Sequence, residues 1–126
     1  MPDKVTPYPK EILPSGFSYP KNYLRFAEEV EVPDELIWWF PGEEFDHAAA
    51  EWEFRLVWKS KGWLYLDDID PIPFARNGDW AAFFDGNDLS GDPKVVVVDL
   101  GNKENSYRLP NFDAWFDRAL WDSGLK

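Results

Sequence analysis

Two apolar runs joined by a polar loop dominate the hydrophobic pattern of the chain. Residues 80–84 are aromatic and almost wholly apolar, and residues 95–98 are β-branched throughout, which suits a pleated sheet. Neither run alternates between apolar and polar positions, so we expect both strands to be central and covered on both faces. The Gly, Asn, Asp and Ser residues of 85–93 are typical of a turn. The pattern therefore predicts a hairpin at the centre of a sheet.

Apolar residues at helical spacing predict one helix near the start of the sequence and one at its end. The first covers about residues 18–29, with Ser18 as its N-cap and Pro20 in its first turn. The last begins after Asn111, whose side chain suits an N-cap, and ends at Gly124. The expected core stripes are Tyr23, Phe26, Ala27 and Val30 in the first helix, and Phe112, Trp115, Phe116, Ala119 and Leu120 in the last.

Short apolar or aromatic runs between these helices predict further strands. They cover residues 36–40, 63–66 and 106–109. Ile72 and Phe74 are expected to begin the sheet again, although each follows a proline, and proline is tolerated only at a sheet edge or a strand start.

Residues 43–61 fit two kinds of structure. An apolar stripe at helical spacing runs through the segment, whereas the residues from Trp52 onward also alternate like a strand. The alanine run at 48–50 and the acidic residues before it favour a helix that ends before Gly62.

The order of elements is helix, strand, helix, several strands and helix. This order indicates an α+β fold, in which helices flank a central antiparallel or mixed sheet of about 4–6 strands. The length of 126 residues is that of one domain, which we place at 13–126. Residues 1–12 are rich in proline and are predicted to form an extended N-terminal arm.

Composition indicates a folded protein. Hydrophobic residues make up 44% of the chain, including 8 Trp and 10 Phe, which is enough apolar material for a core. The absence of cysteine excludes disulfides and thiolate metal sites and favours a reducing compartment. The first residues lack the apolar segment of a signal peptide, and no apolar run approaches the roughly 20 residues of a membrane span. We expect a cytoplasmic protein that does not bind membranes.

Charge narrows the choice of partner. Acidic residues outnumber basic ones by 24 to 13, and the formal net charge is −11. Nucleic-acid binding is disfavoured, because phosphate contacts need clustered Lys and Arg. A basic partner would be attracted, although the same acidity also serves simply to keep an aromatic-rich chain soluble. The candidate partner contacts are carboxylates in predicted turns and at a helix start: Glu43, Glu44, Asp46, Asp67, Asp68, Asp70, Asp85, Asp88 and Asp92.

The sequence offers little support for metal or catalytic chemistry. His47 is the single histidine, so a zinc site would depend almost wholly on carboxylates, which is rare. The loop from Asp85 begins like an EF-hand, but Leu89, Ser90 and Val96 stand where a ligand, the glycine and the closing glutamate are required. We therefore predict a turn there, and we expect no metal, no cofactor and no catalytic residue.

Three motifs, in this order and spacing, carry a resemblance to a known family. The first is Leu13-Pro14 followed by the aromatic residues 19–26. The second is residues 72–85, Ile-Pro-Phe-Ala-Arg-Asn-Gly-Asp-Trp-Ala-Ala-Phe-Phe-Asp, and the third is residues 95–99 followed by 112–117, Phe-Asp-Ala-Trp-Phe-Asp. Together they span about residues 13–122, and they resemble the SUKH superfamily of Smi/Knr-like proteins.

The resemblance implies an α+β fold and a non-enzymatic role. Many bacterial members are similar to immunity proteins that neutralise a toxin, often a nuclease, of polymorphic or contact-dependent systems. With the acidity of this chain, the resemblance implies a basic toxin domain as the partner. The founding eukaryotic members are linked to regulation of cell-wall synthesis, so an intracellular regulatory or scaffold protein is the alternative. A small sugar-binding or hydrolytic domain that uses exposed Trp38 or Trp39 is a third, weaker alternative.

Overall fold

The computed structural model describes residues 13–29, 35–38, 53, 57, 60, 69–102 and 105–125. In this part of the chain the elements are helix α1 (Lys21–Glu29), strands β1 (Pro71–Asn77), β2 (Trp80–Asp85), β3 (Val95–Asp99) and β4 (Tyr107–Leu109), and helix α2 (Phe112–Asp122). The strands form one four-stranded sheet in the order β1-β2-β3-β4, and every pairing is antiparallel. The α+β class is thus confirmed, and the sheet is antiparallel in the described strands.

The predicted hairpin lies at the centre of this sheet. β2 and β3 pair with Ala82 opposite Val97 and Phe84 opposite Val95. Residues 81–84 and 95–98 are all at most 1% exposed. Their side chains alternate between two apolar clusters, the main core and a second cluster that includes Ile69. Because both faces are covered, the strands can be apolar at every position.

Among the described strands β1 is an outer one, as its two prolines predict. Proline has no N–H to donate to a neighbouring strand, so it is tolerated at an edge. The register with β2 shifts between Pro73 and Ala75, which leaves Phe74 in a bulge. The Phe74 ring is 1% exposed and stacks on Phe84, with ring centroids 4.1 Å apart.

α2 has the caps that the sequence predicts. The Asn111 side-chain oxygen accepts a hydrogen bond from the Ala114 N–H at 3.0 Å. At the other end the Leu125 N–H donates to the Leu120 carbonyl at 2.9 Å and the Gly124 N–H to the Trp121 carbonyl at 3.1 Å. With Gly124 at a φ of 77°, these bonds form a Schellman motif, which ends the helix there.

α1 begins later than predicted. The Pro20 carbonyl accepts the first helical hydrogen bond, from the Leu24 N–H at 3.1 Å, so Pro20 rather than Ser18 stands at the N-cap position. Tyr19 is fixed in the core, with its ring 5.0 Å from Tyr23 and 5.8 Å from Phe84. Residues 17–20 are not helical, so the chain reaches this buried position before α1 begins. The predicted stripe holds for Tyr23 and Phe26, which are buried.

The strand prediction for residues 36–40 is wrong for the described residues 36–38, which form no strand. Leu36 and Trp38 are buried and Ile37 is exposed, a burial pattern like that of a strand covered on one face. However, the Ile37 N–H donates to the Ser123 hydroxyl at the end of α2, at 3.0 Å, instead of to a neighbouring strand. The run is apolar because it packs against a helix.

Several predictions fall on residues outside the described part of the chain. The N-terminal arm at 1–12, Val30 and the strand at 63–66 are among them. Of the helix predicted at 43–61, Glu53, Val57 and Ser60 are described and each is helical.

Candidate partner-binding surface

One end of the sheet gathers four of the predicted contact residues. The antiparallel topology places the β2–β3 loop beside the start of β1, where the Gly86 N–H donates to the Asp70 carbonyl at 2.8 Å. Only glycine allows this approach, since a Cβ on Gly86 would lie 2.7 Å from the same carbonyl oxygen. Asp70, Asp85, Asp88 and Asp92 therefore share one end of the sheet, which we call the loop end.

Hydrogen bonds to backbone amides fix the carboxylates of the loop. Asp85 accepts from the Asn87 N–H at 2.9 Å. Asp88 accepts with one oxygen from the Ser90 N–H at 3.1 Å and with the other from the Lys94 N–H at 3.1 Å. These are turn interactions, and they use carboxylate oxygens that a calcium site would need.

The Asp88 carboxylate has a perturbed pKa. Its partial burial raises the pKa, but the hydrogen bonds from Ser90 and Lys94, together with the Lys94 charge, outweigh burial and hold the pKa below 3.8. Asp88 therefore keeps its negative charge at neutral pH.

Asp92 connects the loop end to α2. Its N–H donates to the Ser90 hydroxyl at 3.2 Å, and its carboxylate accepts from the side-chain amide of Asn111 at 3.2 Å. Because Asn111 also caps α2, the acidic loop and the first turn of the helix are held together.

A second acidic pair lies at the opposite end of the sheet, which we call the turn end. The Leu100 N–H donates to the Asp79 carbonyl at 2.7 Å, and a Cβ on Gly101 would lie 3.1 Å from an Asp79 carboxylate oxygen and 3.4 Å from one of Asp99. Sequence reasoning missed this pair. The pairing of β2 with β3 indicates it, because Trp80 lies opposite Asp99 and Asp79 directly precedes Trp80.

α2 carries an exposed tryptophan on the side away from the sheet. Trp121 is 67% exposed, the largest value for a bulky apolar side chain in the described residues. Together with Ala114, Asp117 and Arg118 it lines a groove of about 440 Å³. We call these four residues the outer face of α2. Sequence reasoning also missed this face, although Trp121 lies outside the helix's core stripe and is therefore an apolar residue at a polar position.

The Arg118 side chain lies against strand β4. Its guanidinium carbon lies 4.3 Å from the centre of the Tyr107 ring, and its Nε lies 3.8 Å from a carboxylate oxygen of Asp122. Burial raises the pKa of Tyr107 and Asp122 adds to this effect, whereas Arg118 opposes it, so that the pKa lies above 10.0. These contacts keep the Arg118 charge on the β4 side of the outer face.

A second groove, of about 360 Å³, separates α1 from α2. Its floor is apolar, and its lining includes Phe26, Phe112, Phe116 and Leu120. Near the start of both helices the Asn22 amide donates to both carboxylate oxygens of Asp113, at 2.8 and 2.7 Å. Asp117 borders this groove as well as the outer face, so the two surfaces are continuous.

The remaining predicted contacts lie outside the described residues. They are Glu43, Glu44, Asp46, Asp67 and Asp68, together with His47 and Trp39. Trp38 is described and is 4% exposed, with its ring 5.4 Å from that of Trp115, so this tryptophan is not available to stack on a sugar.

In the described part of the chain, no group of three or more His, Cys, Asp or Glu residues is arranged to hold a metal ion. No helix in the same residues has the length and apolar character needed to cross a membrane.

Comparison of the chain with protein-family models, with curated proteins and with solved structures finds no match in any of the three.

Proposed function

We propose that this chain is a non-enzymatic protein-binding domain, an immunity protein of the SUKH type that binds a basic toxin domain in the bacterial cytoplasm and neutralises it. The observation that carries the proposal is the loop end, where Asp85, Asp88 and Asp92 hold their carboxylates in place through hydrogen bonds. A fixed acidic surface loses little conformational freedom when a partner binds.

The charge of the whole chain supports the same proposal. A net charge of −11 attracts a basic protein over a distance and increases the rate of encounter, by about tenfold to a thousandfold in strongly steered complexes. Such attraction gives specificity and speed more than affinity. A nuclease toxin, whose substrate-binding surface is basic, has the matching charge, and a partner seated there would block its substrate.

Co-expression tests the proposal directly. The chain is produced in a bacterial host together with the toxin encoded beside it, and growth and complex formation are measured. We expect rescue of growth and a complex that survives purification. A toxin that kills the host regardless and forms no complex would refute the proposal, whereas recovery of a housekeeping protein as the partner would favour the regulatory alternative.

A pair of matched double variants tests the role of the loop end. Asp88→Asn with Asp92→Asn removes two charges there, and Asp79→Asn with Asp99→Asn removes two at the turn end. Asparagine keeps the size of each side chain and one acceptor oxygen. We expect the loop-end pair to slow association with the toxin several-fold more than the turn-end pair, and equal effects would contradict the assignment.

A further inference from the structure

The outer face of α2 differs from an ordinary solvent-facing helix surface. Ala114, Asp117, Arg118 and Trp121 are spaced by three, four and seven residues, so they form one strip along the helix. The opposite strip, of Phe112, Trp115 and Ala119, is buried. A single exposed apolar residue is normal, but here a two-thirds exposed indole borders a groove that the small side chain of Ala114 also lines.

Two residues of this surface, Trp121 and Arg118, and the neighbouring Tyr107 are of the types that dominate binding energy in protein interfaces. Trp, Tyr and Arg are enriched among interface hot spots, and here Trp121, Arg118 and Tyr107 lie on one side of the molecule. Arg118 is already ordered by its contacts with Tyr107 and Asp122, so binding would not have to immobilise it.

Charge decides which occupant fits. Two charged residues line the groove, Asp117 and Arg118, and the Arg118 guanidinium is held against the Tyr107 ring on the β4 side. A cation at the Trp121 ring would gain cation–π attraction and would lie near the Asp117 carboxylate. An anionic ligand, or a second copy of this chain, would instead meet a net charge of −11.

We propose that the outer face of α2 docks a basic segment of a partner protein, whose Lys or Arg side chain stacks on the Trp121 ring beside Asp117. This inference rests on the proposed protein-binding function and adds an anchor to it. The loop end attracts the partner, and the outer face of α2 holds it.

A synthetic Arg/Ala helical peptide with blocked ends serves as the probe, and a Glu/Ala peptide serves as its control. The peptide is titrated into the full chain labelled with nitrogen-15, and the indole N–H signals are followed. Trp121→Phe assigns the Trp121 signal by its disappearance. We expect this signal to shift with the basic peptide and to stay in place with the acidic one.

Substitutions at Trp121 and Asp117 test whether these two side chains bind the peptide. Trp121→Ala is expected to weaken peptide binding about fivefold or more, and Trp121→Phe, which keeps an aromatic face, to retain most of it. Asp117→Asn should weaken binding more than Asp79→Asn, which removes the same charge at the turn end. Because Trp121 is mostly exposed, all of these variants should fold, which circular dichroism checks.

Three results would overturn the inference. One is an unmoved Trp121 signal in the wild-type chain, and another is equal binding by wild type and Trp121→Ala, which would show that net charge alone attracts the peptide. The third is a wild-type dimer that Trp121→Ala converts to a monomer in analytical ultracentrifugation, since the face would then pair copies of the chain. Failure to rescue growth would refute the toxin as the partner, but it would not contradict a positive result with the peptide.

Discussion

Replacing Gly86 with alanine tests whether a close backbone approach positions the loop end. In the native protein the Gly86 N–H donates to the Asp70 carbonyl at 2.8 Å. The added Cβ would lie 2.7 Å from the Asp70 carbonyl oxygen, 3.0 Å from a Pro14 side-chain carbon and 3.1 Å from one of Ile72. The nearest of these atoms belongs to the backbone at the start of β1, so it cannot rotate away as a flexible side chain would.

The expected cost follows from three contributions. Forcing one extra carbon into a packed site costs about 1–3 kcal/mol. Movement of the β1 start to relieve the clash would weaken the hydrogen bond between Gly86 and Asp70, which contributes about 1 kcal/mol. Alanine also restricts the unfolded chain, which offsets about 0.4–1 kcal/mol of this loss. We therefore expect Gly86→Ala to lower the free energy of unfolding by about 2 kcal/mol.

Gly91→Ala is the matched control, because it lies in the same loop and meets nothing within 4 Å. At its φ of 89°, an alanine would be strained by about 1–2 kcal/mol. The lower conformational entropy of alanine in the unfolded chain offsets up to about 1 kcal/mol of this strain. Urea unfolding followed by tryptophan fluorescence measures both variants. With a slope of about 2 kcal/mol per molar urea, Gly86→Ala should lower the midpoint by about 1 M. A midpoint no lower than that of Gly91→Ala would refute the steric argument.

Three further predictions concern caps and titration. Asn111→Ala should cost about 1 kcal/mol of stability through loss of the α2 cap. Asn111→Ser, which can still cap the helix, should recover most of that stability in thermal unfolding. Equal melting temperatures for the two variants would contradict the capping role of Asn111. The depressed pKa of Asp88 contributes stability that is present above pH 3.8 and lost as the pH falls below it. The stability difference between wild type and Asp88→Asn should therefore shrink in acid. A difference that stays constant with pH would argue against a depressed pKa. The raised pKa of Tyr107 contributes stability below pH 10.0 that is lost above it. Subtracting the ultraviolet titration of Tyr107→Phe from that of wild type should therefore show a phenol that ionises above pH 10.0.

The elements that the sequence predicts well are those whose pattern depends on local chemistry. The run at 95–98 is valine at every position, and the run at 80–84 consists of aromatic residues and alanine. Such wholly apolar composition suits an inner strand whatever the neighbouring strands are. The caps of α2 are equally local, because Asn111 and Gly124 act on backbone groups within a few residues of themselves.

The predictions that failed depend on partners distant in sequence. The apolar run at 36–38 needs a surface to pack against, but nothing in the run shows whether a strand or a helix supplies it. In the structure it meets the end of α2, where the Ser123 hydroxyl accepts the Ile37 N–H. The acidic groups at the two ends of the sheet likewise become neighbours only through strand register. The outer face of α2 could be predicted from the sequence, because Trp121 lies opposite the core stripe, beside the charged residues Asp117 and Arg118.

The loop end and the outer face of α2 should affect different steps of binding. At about 0.15 M salt, exposed charges act over roughly 8 Å, so the carboxylates of Asp88 and Asp92 influence the approach of a partner and lose that influence as salt rises. A ring such as Trp121 contributes only once water has left the contact, and its removal therefore speeds dissociation. Neutralising the loop end should lower the association rate in a salt-dependent manner, and Trp121→Ala should raise the dissociation rate with little dependence on salt. Surface plasmon resonance with the toxin measures both rates. If the two surfaces are independent, the changes in binding free energy should add when the substitutions are combined. An association rate that falls equally in both variants would show instead that one surface performs both tasks.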